Sequence, residues 1–410
     1  HPGAGSAPPP EQSVSEPTPT HETTRVAFGG AGTRGCYNAL VSARAAYEVV
    51  LYDQRQESLD AVSQVQQGLA GLFIDAGFCQ QADIDAALSR TRISGNLEEA
   101  VADVDLVSES VFEDLQLKRS VHRELDAVCE PQTILTSNSS GLLTSDLEDV
   151  VQRGSLFAAL HSHLGSPLVD IVPGPRTSPR TLDVLSRYVC SFRGEPLVLK
   201  RENPGYVLNA MLGPVMGTAL ALCIRGDADV TEVDRAWMAS QGAPMGPFGM
   251  MDLFGLPLLR DSWLHRDRDD ALQAFRDPVL AMLEAKVAEG KLGMKSGAGF
   301  YTYPNPQYQQ AGFATAGEDL PVARCLQAVL VAQGVMLAEH DIASPEDIDR
   351  AWCIGTGLAR GPFGIATGLG LEKIAADIQQ LCRDEMLQDS AFAPVRRYLQ
   401  ALLLASSNGG

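Results

Sequence analysis

The sequence predicts an α/β fold: a doubly wound parallel sheet followed by two tandem all-helical domains. Three observations predict it. A glycine-rich turn, GGAGTRG at Gly29 to Gly35, stands between an apolar run (Val26 to Phe28) and a helix-like segment (Cys36 to Ala46). Apolar strand-like runs then alternate with helix-like segments to about residue 200, as a parallel sheet with crossover helices requires. Beyond that the pattern is helical and contains a gapless internal duplication.

Residues 1–23 are rich in Pro, Ser, Thr and Glu and have almost nothing to bury, so a disordered leader is expected there. A domain at 24–200 follows. Within its first turn, Gly30, Gly32 and Gly35 form G-x-G-x-x-G. Gly30 permits a tight strand-to-helix turn, Gly32 lets the backbone approach a pyrophosphate, and Gly35 lets helix and strand pack closely. The helix that follows from Cys36 faces the phosphates with its free N–H groups and positive dipole end, and Thr33 and Arg34 of the turn before it join the glycines as candidate cofactor-binding residues. The run EVVLYD ends in Asp53, placed to accept hydrogen bonds from a ribose diol. Glycines, strand, helix, strand and acid in this order point to a dinucleotide. Asp53 would repel a 2′-phosphate, which favours NAD over NADP, although Arg55 stands nearby.

After Asp53, Leu59, Val62, Val65, Leu69, Leu72 and Phe73 recur at helical spacing, Gly77 breaks the run, and a second periodic segment covers Ile84 to Leu88. This reads as a helical hairpin inserted at 54–97. VDLVSES is the next buried strand, ending near Glu109. A helix from Asp114 to Cys129 and the strand TILTSNSS follow. Ligands collect at the carboxyl ends of such strands, where Asp53, Glu109 and Asn138 to Ser140 fall. Ser137, Asn138 and Ser139 also suit a plain capping turn. His161 sits just after a strand-like run and Asp170 lies in another. A single histidine often serves structure alone. Beside a nicotinamide, however, an imidazole suits removal of a hydroxyl proton, and a carboxylate on its other nitrogen would fix the tautomer.

The helical region divides into 201–306, a linker at 307–318, and 319–410. Glu232 to Leu256 realigns without gaps on Asp347 to Leu371, matching Asp234 with Asp349, Trp237 with Trp352, and two GPFG quartets. One helical module is used twice, each copy expected to bury an apolar face against the other. KLGMKSGAGFYTYPNP between them reads as a tight glycine-rich turn.

Net charge is -19 over 410 residues, which argues against nucleic acid and anionic membrane surfaces as partners. No apolar run approaches about 20 residues and no signal peptide opens the chain, so a soluble protein is expected. The eight cysteines lack C-x-x-C spacing and lie mostly in apolar runs, as buried residues of a reducing cytoplasm would.

Several segments together resemble the L-3-hydroxyacyl-CoA dehydrogenase family, including 3-hydroxybutyryl-CoA dehydrogenases. They are GAGTRG, VSESVFEDLQLKR, TSNSSGL, LVDIVPG, NPGYVLN, GDADVTEVDRAW with GAPMGPFGMMDLFGL, and KLGMKSGAGFY, and they cover about Thr24 to Pro306. The rest resembles a second copy of the family's helical domain. The resemblance implies an NAD-binding Rossmann domain and oxidation of a 3-hydroxyacyl thioester to the 3-ketoacyl thioester. His161 matches the family's base, and Asp170 falls where the family has an orienting glutamate. Ser140 and Asn209 match residues expected near the substrate oxygens. Glu109 and Lys295 match positions near the nicotinamide half of the cofactor, and Asp114 stands where the family often has asparagine.

Three departures bear on function. The family's H-F-F-N-P is replaced by HSHLGSP, which shortens the loop, removes an asparagine and makes His163 a second candidate base. The hairpin, LAGLFIDAGFCQQ, lacks the lysines that the family commonly offers to CoA phosphates, so a carrier-protein thioester is an alternative substrate. Arg324 replaces Asn209 in the second helical copy, so that copy is expected to be structural and to stand in for a partner subunit; monomer and homodimer both remain open. A weakened, NAD-binding structural protein is the reading from another class.

Overall fold

The structure is a computed structural model that describes residues 23–266, 271–314 and 320–407. The leader expected at 1–23 therefore lies, except for Thr23, outside the described residues, as do residues 315–318 of the expected linker.

The α/β part runs β1 (Arg25–Gly29), α1 (Thr33–Arg44), β2 (Glu48–Tyr52), α2 (Gln56–Asp75), α3 (Gln81–Ser89), β3 (Thr91–Ser94), α4 (Leu97–Val101) and β4 (Leu106–Glu109). It continues with α5 (Leu115–Val128), β5 (Ile134–Ser137), α6 (Thr144–Glu148), β6 (Phe157–Ser162), β7 (Leu168–Pro173), α7 (Pro179–Ser191) and β8 (Glu195–Val198). Eight strands form one sheet in the order β3-β2-β1-β4-β5-β6-β7-β8. Each pairing from β3 through β6 is parallel, and the order reverses at β1, the doubly wound pattern the sequence predicts. Strands β4 and β5 are buried at every position, because helices cover both faces of a parallel sheet. Their core gathers Ala27, Val107, Leu135 and Phe157 with Val101, Val104 and Leu125 from the flanking segments.

The insert expected at 54–97 is not wholly helical. After α2 and α3 it returns to the sheet as β3, a four-residue edge strand whose middle residues are exposed. Without a buried stripe, TRIS carries no hydrophobic period to announce a strand.

The helical part runs α8 (Leu208–Arg225), α9 (Val230–Gln241), α10 (Pro247–Phe254), α11 (Leu256–Leu264) and α12 (Arg276–Ala288). Its second copy runs α13 (Leu320–Glu339), α14 (Pro345–Thr356), α15 (Pro362–Leu369), α16 (Leu371–Arg383) and α17 (Asp389–Ser407). By contacts the chain falls into two compact units. One is the chain to Gly165 with Pro173–Pro196, and the other is Ser166–Val172 with Leu197 onward.

The duplication is a duplication of geometry. Asp234 on α9 accepts the N–H groups of Phe248 (2.8 Å) and Gly249 (3.0 Å) at the start of α10; Asp349 on α14 accepts those of Phe363 (2.8 Å) and Gly364 (3.0 Å) at the start of α15. A Cβ at Gly246 or Gly361 would stand 2.4 or 2.5 Å from the Cα of the capping aspartate, which explains glycine at the head of both quartets. Trp237 and Trp352 meet edge to face at 6.3 Å, so the copies bury their matching faces on one another. Arg324 pairs with Asp377 inside the second copy, through Nε at 3.0 Å and a second short contact.

The two caps are not equal. Asp234 is fully buried and also accepts the Tyr301 hydroxyl, and its burial, outweighing these three bonds, pushes its pKa up to about 7. Asp349 is half-buried and, among the described residues, accepts from its two backbone donors alone. Each donor left buried without an acceptor costs about 1–3 kcal/mol, so Asp234→Ala is expected to destabilise the protein by about 3 kcal/mol or more and Asp349→Ala by clearly less. Urea denaturation of both variants checks the order, and an equal or reversed effect contradicts it.

Two further expectations need correction. Leu208–Arg225 and Pro321–Glu339 are long and apolar enough to cross a membrane, contrary to the sequence reading; 56% and 67% of their apolar windows are buried within the protein. Of the eight free cysteines only Cys36, Cys129 and Cys382 are buried, while Cys190 is exposed and the rest are intermediate. The start of the linker is anchored rather than loose: Tyr308 packs edge to face on Tyr301, and Arg235 donates to the Phe313 carbonyl (2.9 Å).

Candidate active site

The glycine turn has the shape a dinucleotide needs. Gly30 has φ +104°, and a Cβ there would lie 2.8 Å from the Ser110 carbonyl oxygen. A Cβ at Gly35 would overlap the Gly30 carbonyl oxygen at 1.8 Å, so helix α1 leaves the strand as closely as two backbones allow. At Gly32 neither constraint applies. Its φ is -75° and nothing stands within 4 Å of a Cβ, so what the glycine preserves is open room in front of the helix N-terminus. That room, beside the free N–H groups of the first turn, fits a pyrophosphate.

Asp53, at the tip of β2, is nearly buried. It accepts the Ala31 N–H on Oδ2 (3.0 Å) and the Arg55 N–H on Oδ1 (2.9 Å). Two bonds leave carboxylate lone pairs for the two hydroxyls of a ribose. Arg55 is drawn off toward Asp53 (3.6 Å) and the Phe112 ring (5.1 Å). The residues present therefore fit an unphosphorylated adenosine ribose.

Glu109, the last residue of β4, is fully buried and accepts from Lys118 Nζ (2.5 Å), Ser137 Oγ (2.7 Å), the Val111 N–H (2.8 Å) and His122 Nε2 (3.1 Å). Burial raises its pKa, but the His122 hydrogen bond and the Lys118 charge outweigh that and bring it down to about 2. Its acceptors are thus engaged inside the protein, where it braces the ends of β4 and β5. Sequence reasoning missed Lys118 and His122, both buried on α5. The signal was available: Lys118, His122 and Leu125 share one helical face. Asp114 is the N-cap of α5, accepting the Leu117 N–H at 2.7 Å.

The SNSS turn follows β5. Ser139 Oγ donates to Glu113, whose same oxygen accepts the Gly141 N–H (3.2 Å), and Ser140 is left partly exposed at the end of the strand. Asn138 Oδ1 accepts the Ser162 N–H (2.8 Å), and Ser162 Oγ donates to Asn38 Oδ1 on α1 (2.8 Å). Arg34 Nη1 donates to the Ser162 carbonyl (3.1 Å). These bonds tie the end of β6 to the nucleotide turn and to the SNSS turn together.

His161 lies within β6, one residue before its end, rather than after it, and is 2% exposed. Its ring meets that of His163 edge to face, with centroids 4.5 Å apart, so the shortened loop brings both candidate bases to one place. Tyr37 Oη accepts the Gly165 N–H at 3.3 Å and anchors that loop to α1. In the other unit, Asp170 is buried within β7 and Asn209 is the second residue of α8. Lys295 lies in a 3-10 turn (Met294–Ser296) and lines a pocket of about 350 Å³ with Leu253, Phe254 and Leu292.

Residues 25–202 match the model of the 3-hydroxyacyl-CoA dehydrogenase NAD-binding domain, and residues 205–303 and 322–408 each match that of the C-terminal domain. A probable 3-hydroxyacyl-CoA dehydrogenase of Caenorhabditis elegans is 33% identical over 67% of this chain and 91% of its own length. The human mitochondrial hydroxyacyl-coenzyme A dehydrogenase is 31% identical over 67% and 89%. Among solved structures, a diketoreductase is 32% identical with a TM-score of 0.65, covering 69% of this chain and all of its own. A 3-hydroxybutyryl-CoA dehydrogenase of Escherichia coli shares the fold over 94% of this chain and 99% of its own, with a TM-score of 0.77 at 20% identity.

Proposed function

This chain belongs to the 3-hydroxyacyl-CoA dehydrogenase family and is an NAD-dependent oxidoreductase of 3-hydroxyacyl thioesters; from that premise we propose that His161 is the acid-base of the reaction and CoA the thioester carrier. NAD, when bound, supplies the hydride acceptor. In oxidation His161 takes the proton of the 3-hydroxyl, and in reduction it returns one to the forming alkoxide. Asp170 of the next strand holds the ring in its tautomer and steadies the imidazolium. We assign Ser140 and Asn209 to the reacting oxygens and Lys295 to the nicotinamide half, and Glu109 keeps the two strand ends in register. The observation that supports this reading most is the Arg34 bond to the Ser162 carbonyl, which fixes the residue after His161 to the nucleotide turn itself.

The second helical copy lacks an equivalent of Asn209, and Arg324 is spent on Asp377, so we assign that copy to packing, where it covers the face another subunit would otherwise cover. None of the described cysteines is bridged, which suits a reducing compartment such as the cytoplasm and a place in acyl-chain metabolism.

The test is NADH formation from the same 3-hydroxyacyl group offered on CoA and on an acyl carrier protein, and with NADP in place of NAD. The expected result is turnover with CoA and NAD, with kcat/KM for NADP at least about 100-fold lower because a 2′-phosphate would face Asp53. Preference for the carrier protein would transfer the reading to a biosynthetic substrate. Tight NAD binding with no turnover on either would favour a structural protein.

A further inference from the structure

We propose that Arg34 is a specificity-determining residue that receives a carboxylate at the far end of a short acyl chain, so that the preferred substrates are 3-hydroxy dicarboxylic acids carried as monothioesters. The inference rests on the dehydrogenase reading and names its substrate class.

Three observations carry it. The first is position. Arg34 is the second residue of α1, in the turn that faces the cofactor phosphates, yet its side chain reaches away to the Ser162 carbonyl, one residue beyond His161. Neighbouring Cα atoms are about 3.8 Å apart, so a group held by this guanidinium lies within a few carbons of the atom His161 serves.

The second is unspent capacity. A guanidinium has five N–H donors in a fixed fork that matches a carboxylate. The Ser162 carbonyl takes one of them, and Arg34 makes no ion pair among the described residues. The side chain is thereby aimed but not neutralised, with donors left for a planar anion.

The third is that the internal carboxylate whose charge reaches Arg34 is already engaged elsewhere. The charge that acts on Arg34 is that of Glu113. That carboxylate is already bonded by Ser139 and Gly141 and lies 3.6 Å from Lys118 Nζ. The surroundings otherwise offer an anion little: from Gln56 to Ser89 the hairpin bears Glu57, Asp60, Asp75, Asp83 and Asp85 and no lysine or arginine. An aimed cation without an ion pair among the described residues, beside the reacting centre of so acidic a chain, is a selective element. A methyl-ended acyl chain leaves it unused.

Binding measured apart from turnover tests this. Glutaryl-CoA and valeryl-CoA have five-carbon chains that differ in their end, a carboxylate against a methyl. Calorimetric titration of each into the NADH-loaded protein is expected to show glutaryl-CoA binding roughly 10- to 100-fold more tightly, the worth of a charge-assisted hydrogen bond. Arg34→Met brings that ratio close to one, and Arg34→Lys retains part of it, because it keeps the charge and loses the fork. No preference in the unaltered protein overturns the inference, as does a ratio that survives Arg34→Met. If Arg34→Met instead weakens NADH and leaves the ratio intact, the residue is a cofactor clamp and the inference is wrong. Failure of the dehydrogenase reading shows separately, as no NADH formation from 3-hydroxybutyryl-CoA by the unaltered protein.

Discussion

His161→Asn is expected to lower kcat by roughly 10²- to 10⁴-fold, the usual contribution of one positioned acid-base group, while NADH binding followed by fluorescence stays close to that of the unaltered protein. The two readouts separate because different elements make the two sites. The dinucleotide is offered the glycine turn, the α1 N-terminus and Asp53, none of which uses the imidazole. The proton is offered the histidine pair at the end of β6. His163→Asn is the necessary companion, since the two rings touch at 4.5 Å. His161 is 2% exposed on a strand held by Asn138 and Arg34, whereas His163 lies in the loop beyond the strand and is half-exposed. A base must keep its angle to the substrate, so the larger loss belongs at His161. A larger loss at His163 would transfer the role to the loop. For oxidation the profile falls on the acid side, because a protonated imidazole accepts nothing.

The sequence made legible what is local. Gly30 and Gly35 answer to a positive φ and a 1.8 Å approach, constraints that only one residue type meets, so the letters alone betray the geometry. The repeated GPFG quartets are legible for the same reason: each glycine lies against the aspartate that caps the following helix. Edge strand β3 was not legible, since TRIS has no buried stripe. The brace under Glu109 was hidden differently. KRSVHRE reads as a polar helix surface, and only the fold shows that Lys118 and His122 turn inward to meet a carboxylate nine and thirteen residues earlier. The reach of Arg34 to Ser162 spans 128 residues and has no local signature at all.

That brace supplies the largest expected loss of stability. Lys118 and Glu109 are 1% and 0% exposed and 2.5 Å apart, so each charge has given up its water for the other. Replacing one partner strands the other as a buried charge, and Lys118→Met is therefore expected to cost about 3–5 kcal/mol, a large share of the 5–15 kcal/mol that a typical protein has. Glu109→Gln leaves the buried ammonium to the partly exposed Glu113 carboxylate at 3.6 Å and is expected to cost somewhat less. The double variant Glu109→Gln with Lys118→Met should be less destabilised than the sum of the two, because no charge is then left buried, and urea denaturation of all three measures the coupling. Strict additivity would mean that the pair is not coupled. The same carboxylate, held down by the His122 hydrogen bond and then by the Lys118 charge, sets a pH window. Glu109 titrates at about 2 in the folded chain against an ordinary 4.5, so the folded state binds its proton more weakly than the unfolded chain does. Its contribution is complete above pH 4.5 and is lost as pH falls from there toward 2. In Lys118→Met that segment of the acid limb should flatten. Because Ser137 donates to the same carboxylate and precedes the turn that carries Ser140, kcat should fall in step with stability in this variant, and unchanged kcat would detach the brace from the site.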